Sequence, residues 1–211
     1  MFEIEYKGGN GVIISTKKAT VVADPKLSLV GLKDIPVKGA IELATESRFA
    51  VNSSDAKIVI EGPGEYGIGD LDITGVAAQR HLDTAADPMA STMYRIDNGE
   101  IRIALLGNIY EKLNENQLEE LGVVDVVILP VGGGGYTLDP TGATTIIRQI
   151  GPKVVIPIHY ADANLKYEVP QANLDEFTKE LGATVEETSK YKLKSAASLP
   201  ASLTVVVVGR S

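Results

Sequence analysis

Cysteine is absent from the 211 residues. Its absence excludes a disulfide framework, a thiolate zinc site, an iron–sulfur cluster and a cysteine nucleophile. Histidine occurs only twice, as His81 and His159. No stretch approaches the ~20 consecutive apolar residues of a membrane-spanning helix. Met1 to Lys7 alternates apolar with charged residues, where a signal peptide would carry an apolar block. Basic residues are outnumbered 20 to 28 by acidic ones, giving a net charge of −8, and no Lys/Arg stripe interrupts that balance along the chain. A polyphosphate partner would be repelled. G-x-S-x-G and G-x-x-x-x-G-K-[ST] are missing too, which removes the serine nucleophile elbow and the P-loop. The expectation is a cytoplasmic protein with no nucleic-acid or membrane partner.

What is present is ordinary for a globular protein. Hydrophobic residues make up 44% and charged residues 23%, enough apolar surface to offset the ordering entropy of a fold. The length is ~1.4 times a typical 150-residue domain, so residues 1–211 are expected to form one domain.

The first half reads as β-structure. Phe2, Ile4 and Tyr6 alternate with Glu3, Glu5 and Lys7, the period of a half-buried strand. Gly8 to Gly11 turns the chain, Val12 to Ile14 returns it, and Thr20 to Ala23 adds a third strand before Asp24-Pro25. Further strands are expected over 57–61, 71–77, 92–96 and 101–106. The second half alternates strand and helix. Asn114 with Gln117 resembles a capping box opening a helix to Leu121. Asp139-Pro140 is an N-cap followed by an N1 proline, and Gly151-Pro152 stops that helix. Residues 123–129 and 153–158 are nearly continuous apolar runs, expected to be strands covered on both faces. Leu174, Phe177 and Leu181 keep helical spacing, and 203–208 is a last strand. Two sheets sandwiched by helices satisfy this α/β pattern.

Chemistry is expected where strands end: at Gly8–Gly11, Thr45–Asn52, Gly107-Asn108 and Ile158-His159-Tyr160. His159 closes an apolar strand and has three readings: metal ligand, general base or hydrogen-bonded structural group. His81, in Gln79-Arg80-His81-Leu82-Asp83, reads most simply as a solvated loop residue. Gly132 to Gly135 lacks the lysine of a phosphate cradle and reads as a close-packed turn. Glu61 to Tyr66 reads as a turn with two solvated carboxylates.

These loops, in this order, resemble one family. The runs Leu118 to Gly122, Val126 to Gly133, Tyr136 to Asp139, Pro152 to Tyr160, Ile60 to Tyr66 and Val22 to Pro25 are similar to metallo-β-lactamase-fold proteins, in the branch of ascorbate-phosphate lactonase-like zinc-dependent hydrolases. The resemblance spans nearly the whole chain and implies a four-layer αββα sandwich. It also implies a metal centre at one edge, built from H-x-H-x-D-H, a later histidine, a bridging aspartate and a last histidine.

The matching positions here differ. Thr45-Glu46-Ser47-Arg48-Phe49-Ala50 stands where H-x-H-x-D-H belongs, Asn108 where the bridging aspartate belongs, and Asn10 in place of a first-loop histidine. His159 matches the last ligand and His81 the later-loop histidine. A catalytic zinc commonly has three protein ligands and an open position. The resemblance therefore implies a remnant pocket of Asp24, Thr45, Glu46, Ser47, Phe49, Ala50, His81, Asn108 and His159, with no metal or cofactor expected and the catalytic residues unknown. In that reading the chain binds a small molecule or a protein, with homo-oligomerisation open. The alternative is a hydrolase of phosphoester or lactone type with a remodelled site. There His81 and His159, joined by Asp24, Asp83 or Glu46, would hold zinc or another divalent metal. A metal-free base at His159, beside Tyr160 or Glu46, is a third arrangement.

Overall fold

The computed structural model describes residues 1–84 and 88–211. The alternation of the first seven residues has the expected result. In β1 (Phe2–Gly8) the side chains of Phe2, Ile4 and Tyr6 are buried, and Glu3 and Glu5 lie half-exposed on the other face. There they meet Lys190 and Lys192 at 3.0–3.4 Å. β2 (Gly11–Ser15) and β3 (Thr20–Ala23) follow antiparallel. β4 (Ile41–Ala44) and β5 (Ile58–Glu61) then join in parallel.

The second sheet begins at β6 (Gly64–Ile68), β7 (Leu71–Ala78), β8 (Ser91–Asp97) and β9 (Arg102–Leu105), all antiparallel. α1 (Glu115–Leu121) carries the capping box: Asn114 accepts from Gln117 N, and Gln117 Oε1 accepts from Asn114 N. β10 (Val126–Pro130) is buried along its whole length, as is β11 (Val154–Ile158) beside it. Between them α2 (Pro140–Ile150) starts at Asp139, whose carboxylate accepts from Gly142 N at 2.7 Å, and ends at Gly151. α3 (Leu174–Leu181), β12 (Thr184–Thr188), β13 (Tyr191–Leu193) and β14 (Thr204–Val208) complete the chain.

The strand orders are β13-β1-β2-β3-β4-β5 and β12-β14-β11-β10-β9-β8-β7-β6. One apolar cluster, with Phe2, Ile4, Leu43, Tyr94, Ile128 and Ile156, fills the space between the sheets. A second, with Val127, Leu129, Ile146, Ile147 and Phe177, lies between the eight-stranded sheet and the helices. The sandwich is thus the expected α/β one. Over the six-stranded sheet the outer layer is irregular chain and 3-10 turns, with Leu27, Ile35 and Val37 covering Val22.

Several elements differ from the sequence expectation. Residues 61–66, read as a turn, turn only at Gly62-Pro63, and Gly64 already begins β6. β4, β12 and β13 were not anticipated, and the strand expected from 123 begins at Val126, leaving Val123 exposed. The glycine run at 132–135 is the close-packed turn expected: a Cβ on Gly132 would strike the carbonyl of His159 and the Gln171 side chain. A basic patch also exists that chain order conceals. Lys17, Lys18, Lys38 and Lys57, from three separate segments, line one groove.

Glu42 explains how the loop after β4 is held. It shares the outward face with Val22, its partner in register, and is fully buried. Its carboxylate accepts the backbone N–H groups of Val51, Asn52 and Ser53 at 2.6, 2.8 and 3.1 Å. Charge-assisted bonds of this kind contribute more than neutral ones. Glu42→Ala is expected to cost about 2–3 kcal/mol in urea unfolding; an unchanged midpoint would show that the loop stands without it.

Candidate functional site

The loops expected to carry chemistry converge at the carboxyl ends of β3, β4, β9 and β11, joined there by the β1–β2 turn. Carboxyl ends of parallel strands are where open sheets bind ligands. The approach between sheets is set at Gly107, with φ +66° and a Cα so close to Thr45 that a Cβ would lie 2.6 Å from the threonine Cβ. Only glycine fits, and the contact carries Asn108 to the other sheet's loop.

A chain of buried polar groups runs across the junction. His159 Nδ1 lies 2.5 Å from Asn10 Oδ1. Asn10 Nδ2 donates to Asn108 Oδ1 at 3.2 Å, and Asn108 Nδ2 donates to Glu46 Oε1 at 3.2 Å. Because Asn10 spends its amino group on Asn108, its oxygen faces the imidazole. Nδ1 is then the N–H and Nε2 keeps the lone pair. His159 sits in a left-handed conformation, φ +51°, its N–H donating to Tyr6 Oη and its ring stacked on Tyr167 with centroids 4.8 Å apart.

Two guanidinium groups close the other end. Arg48 Nε lies 3.2 Å from Glu46 Oε2, an ion pair without hydrogen-bond alignment. Arg80 lies 4.0 Å from the same oxygen and is held by Asp83 at 2.6 Å. Arg48 is also clamped over the Phe49 ring at 4.6 Å, with Tyr136 at 5.9 Å. Burial pushes the Glu46 carboxyl up, with Arg48 pulling it back. Burial and then Arg48 hold His159 well below its usual value, at about 4. It is neutral at pH 7.

Of the residues expected at the pocket, Glu46, Asn108 and His159 are members of this chain. Asp24 and Thr45 stand behind it: the Asp24 carboxylate accepts Thr45 N and Oγ1, both at 2.7 Å. Phe49 is the floor under Arg48. Ser47 is exposed, and Ala50 is buried without a polar group to contribute. His81 is not a freely solvated loop residue. Its N–H donates to Asn108 O at 2.9 Å, and its Nδ1 is buried without a hydrogen-bond partner. The two histidines are thus linked only through Asn108 and Asn10. For the third arrangement, His159 has Tyr167 stacked on its ring and meets Glu46 through the Asn10 and Asn108 amides. Asn10, Arg48, Arg80, Tyr167 and Gln171 were missed as contributors. Arg48 and Arg80 lie within Thr45–Asn52 and Gln79–Asp83, where no sequence motif marks a cation. Among the described residues no group of three or more His, Asp or Glu side chains is placed to hold a metal ion.

Beside Arg48 opens a pocket of about 390 Å³ including its mouth, walled by Val30, Phe49, Tyr136 and Tyr167, with Arg48 and Gln171 as polar groups. Gln171 Oε1 is buried and unpartnered.

A two-sheet sandwich with its loops gathered at one edge defines the class, and the comparisons agree. The model of the beta-lactamase superfamily domain matches residues 3–159. The chain belongs to that superfamily. It is 30% identical over 122 residues to a UPF0173 protein of Pyrococcus furiosus and 33% identical over 97 residues to a UPF0173 metal-dependent hydrolase of Chloroflexus aurantiacus. The alignments cover 58% and 46% of this chain, but only 51% and 39% of those relatives. In structure it is similar to a Thermotoga maritima protein assigned to the Zn-dependent hydrolases of the metallo-beta-lactamase superfamily, with TM-score 0.77, 24% identity and full coverage of both chains. The metallo hydrolase Igni18 of Ignicoccus hospitalis follows at TM-score 0.67 and 17% identity, covering 99% of this chain and 95% of that one. At these identities the structures speak for the fold alone.

Two groups give opposite pH dependences. Burial raises Asp24 to about 7, against the Thr45 hydrogen bonds that pull it down. The folded state therefore holds a proton the unfolded chain has lost between about pH 4 and 7, and stability falls as pH rises through that window. His159, lowered to about 4, gives stability that is full above about pH 6.5 and is lost as pH falls through 4. In the wild type the two slopes offset each other. Asp24→Asn is expected to unmask a melting temperature that climbs from pH 4 to 6.5, and His159→Gln one that falls from pH 4 to 7. Parallel curves for the wild type and both variants would refute the two assignments.

Proposed function

We propose that this chain is a metal-free member of its superfamily that has kept the active-site pocket for binding and lost hydrolysis. The observation that carries the reading is the hydrogen-bonded run from His159 through Asn10 and Asn108 to Glu46, closed by Arg48 and Arg80. The donor set does not fit zinc. Both asparagines offer neutral amide oxygens, and those oxygens are turned to His159 and to Asn10. Glu46, the one carboxylate of the run, has two guanidinium groups within 4.0 Å of a single oxygen. At an effective dielectric of about 20, unit charges 4 Å apart interact by about 4 kcal/mol. A dication beside Glu46 would meet roughly twice that repulsion from each arginine at such a distance. Asp24 and Asp83, the other carboxylates considered as ligands, are committed to Thr45 and Arg80. Without a bound metal no group here lowers the pKa of water to ~7.

One observation favours the alternative of a remodelled metal-dependent hydrolase: the unpartnered Nδ1 of His81, an imidazole nitrogen available to an ion. The relatives named as metal-dependent hydrolases lean the same way.

Elemental analysis of chain purified from zinc-supplemented medium separates the two. Well below one zinc per chain is expected, with a melting temperature that EDTA does not move and no metal-dependent turnover of phosphoesters or lactones with Zn²⁺ or Mn²⁺. One zinc per chain, lost on His159→Ala, would overturn the proposal.

A further inference from the structure

We propose that the pocket beside Arg48 binds a small apolar carboxylate that also carries a hydroxyl or N–H donor. The inference deepens the binding role proposed above and rests on it.

The argument starts from what Arg48 leaves free. Its Nε edge faces Glu46 at 3.2 Å, and its plane lies against Phe49 at 4.6 Å with Tyr136 at 5.9 Å. The aromatic contacts and the ion pair together restrain the guanidinium. Its terminal N–H groups make no hydrogen bond among the described residues, and the side chain is 38% exposed. A planar fork held in place is a preformed acceptor of a carboxylate, with two parallel N–H···O bonds available.

The surroundings set the rest of the ligand. The walls are apolar and aromatic, so the body of the ligand is too. Glu168, the one acid among the lining residues, is solvent-exposed, so water screens its charge from a bound anion. Gln171 donates its Nε2 to Val169 O at 3.0 Å, which leaves Oε1 as a buried acceptor with nothing to accept. An unmade hydrogen bond of that kind is costly; the oxygen packs against Gly132 without accessible surface, so a donor on the ligand meets it once the Gln171 amide turns toward the cavity. His159 lines the same cavity. The enclosed room is small and open at its mouth, which limits the ligand to about a single ring.

The test uses ring-matched probes on the full chain, read by methyl chemical shifts of Val30 and Val169. Benzoate is expected to saturate with a Kd of about 0.1–1 mM, in keeping with nine heavy atoms. Benzamide should bind at least tenfold more weakly, and benzylamine not at all. Arg48→Gln should weaken benzoate at least tenfold. Arg48→Lys, which keeps the charge but loses the fork, should weaken it several-fold, and it serves if the glutamine variant does not fold. 3-Hydroxybenzoate should bind several-fold more tightly than benzoate, with that gain lost in Gln171→Leu. Benzylamine matching benzoate, full benzoate affinity in both Arg48 variants, no hydroxyl gain, or no saturable shift at these valines would each overturn the proposal. Zinc content is read separately. Stoichiometric zinc would end the metal-free reading, whereas failure of benzoate in zinc-free protein would end this one alone.

Discussion

A carboxylate taken out of water must be paired, and Glu46 is 6% exposed. The effective penalty for a buried ion is several kcal/mol, and removing one partner of a buried pair typically costs 3–5 kcal/mol. Everything at the loop edge is arranged around that demand. Arg48 and Arg80 arrive from different sheets to supply charge, and Asn108 supplies a hydrogen bond to the other oxygen. Asn10 and His159 then follow because Asn108 has its own polar atoms to satisfy. A half-satisfied network of this kind would be worse than an apolar filling. These contacts tie five separate loops together.

The scaffold makes that network affordable by fixing its ends. Gly107 lets one sheet touch Thr45 of the other, and the Asp24 carboxylate clamps the Thr45 backbone from behind. Glu42 holds residues 51–53 by their N–H groups, so the segment between these anchors, which bears Glu46, Arg48 and Phe49, has little freedom left. The strain of left-handed φ at Asp24 and His159 is concentrated at this same edge, as backbone strain commonly is near functional sites.

Much of the fold was legible because local chemistry and tertiary packing agree. The alternation in Phe2 to Lys7, the apolar runs that became β10 and β11, and the Asp139-Pro140 helix start each carry their own signal. The elements that escaped carry a conflicting one. Ile41-Glu42-Leu43-Ala44 hides a buried strand because its one charged residue is spent on loop amides rather than on solvent. Thr184 to Thr188 is an exposed edge strand bearing Glu186 and Glu187, and polar edges blunt aberrant pairing while reading as loop. Gly64 to Ile68 contains two glycines, which lower any strand expectation. At the site, strand ends marked the right loops. The order of the chain could not show that Arg48 lies against Glu46, nor that Gln171 closes a pocket wall with Val30 from more than a hundred residues away.

If guanidinium groups stand where an ion would, as in the proposed reading, two properties that a metal combines are separated. Arg48 and Arg80 supply positive charge beside the Glu46 carboxylate. A guanidinium supplies no Lewis acidity, because it has no orbital to receive an electron pair and holds its proton at neutral pH. A group of this kind can orient a ligand and compensate its charge, but it cannot make hydroxide from water at neutral pH. Fold membership alone leaves the activity undecided. What decides it is how far the polar atoms at the sheet edge are satisfied by one another, as the amides of Asn10 and Asn108 are between His159 and Glu46.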